Sequence, residues 1–102
     1  MKTSVRATSR HTREALVLFG RLIRQHRLES KQTMAMLAER AGVSRGLIQR
    51  IEKGDPSCAI GAVFETASLV GVRLFDLDRD RLAATNALLE RSLTLLPRVR
   101  PA

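Results

Sequence analysis

Arg45, Gly46, Gln49 and Arg50 stand close together in the chain, and their types suit contact with the edge of a nucleic-acid base. A guanidinium fork can donate two parallel hydrogen bonds to guanine O6 and N7, and a carboxamide can bond adenine N6 and N7. Gly46 has no side chain to hold a groove at a distance. Spacings of one, four and five residues put all four on one stripe of a helix. The bland alternative is a solvated helix face. Elsewhere no carboxylate pair, Ser/His set, phosphate loop or metal-ligand spacing appears, so the sequence predicts a binding protein without a cofactor and not an enzyme.

The stripe lies within Thr33 to Gly54, TMAMLAERAGVSRGLIQRIEKG, which reads as two short amphipathic helices broken by a glycine. Leu37, Ala38 and Ala41 share a face before Gly42, and Ile48 and Ile51 share one after it. Gly42 sits where the chain must leave the first helix, with positive φ expected. Ser44 is a natural N-cap for the second helix. Ala38 is small enough for close approach, and Ile48 and Ile51 are expected to pack against Leu37 and Val43. Leu47 either touches a thymine methyl or lines the core with Ile51. Two helices meeting at a tight turn make a helix-turn-helix.

On Thr33, LAERAGVSR and I-x-x-I-E-x-G at Ile48 to Gly54, the stretch resembles the Xre/Cro/C1-type helix-turn-helix domain of bacterial and phage repressors, over Phe19 to about Leu74. The resemblance implies an all-α fold, a compact bundle of about five helices including a C-terminal extra helix, and a dimer on double-stranded operator DNA. It puts the helix Ser44 to Lys53 in the major groove, with base reading at Arg45, Gly46, Leu47, Gln49 and Arg50. Thr33, Ser44 and Lys53 complete the expected DNA contacts. It also pairs Arg27 with Glu52, so Arg27→Ala is expected to lower both stability and DNA affinity. Three positions around the start of the second helix depart from the family pattern: Met34 replaces a phosphate-reaching glutamine, and Lys31-Gln32 replaces a common Gly-Leu. The segment IEKGDPSCAIGAVFETASLVGVRLFD, Ile51 to Asp76, is similar to HipB-type antitoxins, which implies a HipA-like serine/threonine kinase toxin as a partner. There the family often has serine where this chain has Ala59.

At 102 residues the chain makes one small domain with an appended helix. Cys58 is the single cysteine, so no disulfide framework is expected and a reducing cytoplasm is the simplest home. The longest apolar run, Ala15 to Gly20, is too short to span a bilayer. Net charge is +8, and residues 1–27 carry seven basic groups against one acidic, or +6 of it. That concentration on and before the helix-turn-helix suits phosphate contact. Residues 55–80 carry two basic and five acidic groups, net −3, and Asp76, Asp78 and Asp80 are expected to face away from DNA.

In order, residues 1–11 read as a flexible basic arm in which Lys2, Arg6 and Arg10 either fray or touch DNA. The helix-turn-helix domain is expected over residues 12–77. Its first helix, Thr12 to Arg27, shows an apolar face of Leu16, Phe19, Leu22, Ile23 and His26, capped by Thr12 or Ser9. After the stop at Gly54-Asp55-Pro56, a helix from Ile60 to Val70 turns Ile60, Val63, Phe64, Ala67 and Val70 to one side. Leu74 to Leu77 reads as a helical turn or a brief extended segment. A last helix is predicted over residues 78–97, followed by a tail, 98–102. Its stripe of Leu82, Leu89, Leu93 and Leu96 packs on the same chain or makes a dimer interface.

Overall fold

The computed structural model describes residues 8–101. Among them the chain is all-α, five helices without a strand: α1 (Arg10–Glu29), α2 (Met34–Ala41), α3 (Arg45–Glu52), α4 (Ile60–Leu69) and α5 (Arg79–Leu95). Contacts divide it into two units, Met1–Val72 and Arg73–Ala102.

In the first unit α3 packs on α2 and on α1, and α4 packs on α2, giving a compact helical bundle. Ile23, Leu37, Ile48 and Thr66 are fully enclosed, and Ala38, Ile51, Ala67 and Val70 complete the core. Thr66 is tolerated there because its hydroxyl donates to the Ala62 carbonyl at 2.8 Å, one turn back. Phe19 of α1 meets Phe64 of α4 edge to face, with ring centroids 6.3 Å apart. His26 Nδ1 donates to the Val70 carbonyl at 3.2 Å, which joins the ends of α1 and α4.

The helix ends follow local chemistry. Ser9, Thr33 and Ser44 cap α1, α2 and α3, each side-chain oxygen accepting from the amide three residues on. Ala59 stands at the N-cap of α4, where no side chain can accept that bond. At the far end of α1, the amide of Gln32 donates to the Arg27 carbonyl and that of Lys31 to Leu28. This paired closure needs a left-handed residue, and Lys31 supplies it at φ 59°. The same closure ends α2, where Gly42 adopts φ 69° and ψ 32° without strain.

Several sequence expectations are revised. α1 begins at Arg10, because Ser9 takes the cap and Arg10 reaches Glu14 at 3.3 Å, so Arg10 and His11 belong to the helix and not to an arm. Lys2 and Arg6, the rest of that arm, lie outside the described residues. Leu22 and Ile60 are 37% and 70% exposed, so neither joins the core face on which periodicity put it. α1 instead turns Gly20, Ile23 and Arg27 inward. α4 stops at Leu69, with Val70 as its cap.

In the second unit Leu74–Asp76 forms a single 3-10 turn, with Phe75 and Asp76 both left-handed at φ 58° and 54°. Asp78 then caps α5, accepting from the Arg81 amide at 2.8 Å. α5 ends at Leu95, and Leu96 is extended, at ψ 141°. Pro97 accounts for this, since its ring disfavours a helical residue before it, and the predicted leucine stripe thus loses Leu96 from the helix.

Candidate nucleic-acid interface

The candidate interface centres on α3, whose eight residues divide sharply by burial. Ile48 and Ile51 are 0% and 3% exposed, while Arg45, Gly46, Gln49 and Arg50 all face solvent on the other side. Leu47 is half-buried at the boundary. The start of α3 is held by Ser44, whose Oγ accepts from the Leu47 amide at 3.0 Å. A Cβ on Gly46 would meet nothing closer than that Ser44 Oγ, at 3.9 Å, so the fold itself does not demand glycine there.

The end of α3 is held from α1. Arg27 and Glu52, 5% and 6% exposed, face each other as a fork: Arg27 Nε donates to Glu52 Oε2 at 2.6 Å and Nη2 to Oε1 at 2.9 Å. Nη1 donates to the Gln32 carbonyl at 2.9 Å, so one guanidinium ties α1, the connector and α3 together. The hydrogen bond to Glu52 raises the guanidinium pKa above its ordinary value, burial works against this, and the Glu52 charge adds to it. The connector reaches on to α2 through the Gln32 carboxamide, whose oxygen accepts from Arg40 Nη1 at 2.8 Å while its nitrogen donates to Ser30 Oγ at 3.0 Å.

Two glycines let α1 lie against this end of α3. A Cβ on Gly20 would fall 2.6 Å from the Ile51 carbonyl oxygen, and one on Gly54 would fall 2.7 Å from the Val17 amide nitrogen. Gly54 also has φ 79°. Beyond it Asp55 accepts from the Ser57 amide and hydroxyl at 2.8 and 2.7 Å. Those bonds lower the Asp55 carboxyl pKa, chiefly the one from the hydroxyl. Burial raises the thiol pKa of the neighbouring Cys58, with the Asp55 charge acting in the same direction.

The structure brings most of the singled-out residues into one unit. Arg27, Ala38, Gly42, Ile48, Ile51 and Glu52 form the frame, and Ser44, Arg45, Gly46, Gln49 and Arg50 form the exposed row with Lys53, the exposed C-cap of α3, while Leu47 lies between the two. Thr33 is exposed and its hydroxyl is engaged in capping α2. Met34 is half-buried. Leu82, Leu89, Leu93 and Leu96 belong to the other unit, Leu82 half-buried and the rest exposed. Sequence reasoning missed Gly20 and the Gln32–Arg40 link. The signal for Gly20 was available: glycine costs a helix interior about 1 kcal/mol against alanine, so one on the inward face of α1 implies close packing. The Gln32–Arg40 bond spans eight residues through a turn and has no signature in spacing.

A helix pair of this geometry, with a row of exposed hydrogen-bonding side chains on its second member, is a helix-turn-helix. A model of the helix-turn-helix domain family matches residues 18–84, more than half of the chain, and the chain belongs to that family. The match runs through the 3-10 turn into the first turns of α5, and it supports a DNA-binding regulator with DNA as its partner. No curated protein and no solved structure matches the chain. Among the described residues no helix is long and apolar enough to cross a membrane, and no group of three His, Cys, Asp or Glu could hold a metal ion.

Proposed function

We propose that this chain is a sequence-specific transcriptional regulator, a repressor that binds a partly palindromic operator as a homodimer in the cytoplasm and carries no enzymatic activity. The observation that carries this reading is the solvent-facing row Arg45, Gly46, Gln49 and Arg50 on a helix anchored from behind by Ile48 and Ile51 and locked at its end by Arg27 and Glu52. The open space over Gly46 supports it too, because the missing side chain serves an approach from outside and not packing within. Ser44, Thr33 and Lys53 flank the row as phosphate contacts. Two copies would set their α3 helices about 34–36 Å apart, one turn of duplex DNA.

Binding to the DNA upstream of its own gene tests the proposal. Arg45→Ala and Arg50→Ala should each cost about 1–3 kcal/mol of operator affinity and relax preference at one base position. Full affinity in both variants would refute the assignment of α3.

A second reading, resting on the likeness of Ile51 to Asp76 to HipB-type antitoxins, is inhibition of a HipA-like kinase toxin, with autoregulation on DNA. Within that segment Ile60, at the start of α4, is 70% exposed and serves no core. Co-purification with a kinase encoded beside this gene would support it; a stand-alone regulator would purify without one.

A further inference from the structure

We propose that α5 pairs antiparallel with the α5 of a second copy of this chain, Leu93 of each seating between Leu82, Thr85, Asn86 and Leu89 of the other. This rests on the homodimer reading above and adds the surface and direction of the pair. α5 buries none of its side chains, although Leu88, Leu89, Leu93 and Leu95 are 59%, 56%, 64% and 85% exposed. A groove of about 310 Å³ on the same unit is lined by Phe75, Leu77, Leu82, Thr85, Asn86 and Leu89. The last four stand at i, i+3, i+4 and i+7, the diamond of positions into which a facing helix inserts one side chain. Leu93 follows Leu89 by one turn on the same stripe and is the matching knob.

Charge selects both the occupant and its direction. Residues 76–80 carry three aspartates and one arginine, net −2, and residues 90–100 carry three arginines and one glutamate, net +2. A parallel pair would stack like on like at both ends. An antiparallel pair sets the acidic lead of each copy beside the basic tail of the other, and this self-complementarity is what a two-fold interface requires. Seating Leu93 on the diamond places the two-fold axis beside Leu88 and Leu89. Thr85 of one copy then lies next to Ser92 of the other, on the same flank of the stripe.

The test uses the full chain with Cys58→Ser, adding Thr85→Cys or Ser92→Cys. Mild oxidation should link the two variants to each other when mixed and leave each alone largely unlinked. Leu93→Asp should reduce the mass in sedimentation equilibrium from two chains to one, with helix content by circular dichroism retained. Linkage within a single variant, with none between the two variants when mixed, would overturn the antiparallel direction. A dimer that shows no linkage in any sample, or that survives Leu93→Asp, would overturn the surface, and a native monomer would overturn the pairing altogether. In any of those cases an operator affinity still dependent on Arg45 would leave the DNA-binding reading standing and confine the failure to α5.

Discussion

Removing the Arg27 guanidinium leaves the Glu52 carboxylate buried without the fork that satisfies both its oxygens. Breaking a buried pair on one side costs about 3–5 kcal/mol, whereas replacing both partners by apolar side chains is often near neutral. Arg27→Ala should therefore lower stability by several kcal/mol, and Arg27→Met with Glu52→Leu by far less than the sum of the single changes. Urea titration of the four proteins measures this, and additive losses would count against a coupled pair. Two helix-end positions should respond in the opposite sense. Lys31 holds a left-handed conformation that costs a side chain about 1–2 kcal/mol, so Lys31→Gly should stabilise, net of the greater unfolded-state freedom of glycine. Ala59→Ser would supply the oxygen missing from the N-cap of α4, a change worth about 0.5–2 kcal/mol. Each should raise the melting temperature by a few degrees, and a fall in either would contradict the end geometry described above.

Elements bring a conflict that single positions do not show. Alanine is the better helix former by about 1 kcal/mol, yet Gly20→Ala should destabilise by about 1–3 kcal/mol, because its Cβ would press on the backbone of Ile51 and Glu52. Gly46→Ala meets open space and should leave the melting temperature equal or higher while weakening operator binding. Thermal melts beside gel-shift titrations separate the two: the first glycine serves the seating of α1 on α3, whereas the second, on the proposed reading, would serve the groove. Loss of stability at Gly46 with unchanged DNA affinity would reverse that assignment. α5 follows another rule, since its cap and its stop at Pro97 are local but nothing within its own unit encloses its leucines.

For the whole molecule the net charge of +8 makes salt the decisive variable. Each phosphate contact neutralised by Lys or Arg adds close to one unit to the slope of log affinity against log salt. Lys53→Ala should therefore weaken binding to all sequences alike and reduce that slope by about 1, whereas Arg45→Ala should discriminate among operator bases. Titrations at several salt concentrations, on operator and random duplex, tell the two apart. If Lys53→Ala lost affinity for the operator alone, its role would be base reading.

Local chemistry was legible in the chain itself. Ser44 before an amphipathic run, Gly42 after one, and the opposition of Ile48 and Ile51 to Arg45, Gln49 and Arg50 follow from cap bonds, backbone freedom and a 3.6-residue period, all written within a few residues. The bundle and its exposed row were therefore readable in advance. Tertiary structure alone decided that Leu22 and Ile60 stay exposed, that Gly20 lies against α3, that Arg40 binds Gln32, and that Phe75 and Asp76 turn left-handed. Periodicity gives the side of a helix an apolar residue occupies. What comes to rest against that side is set by contacts between segments far apart in the chain, and no local pattern records them.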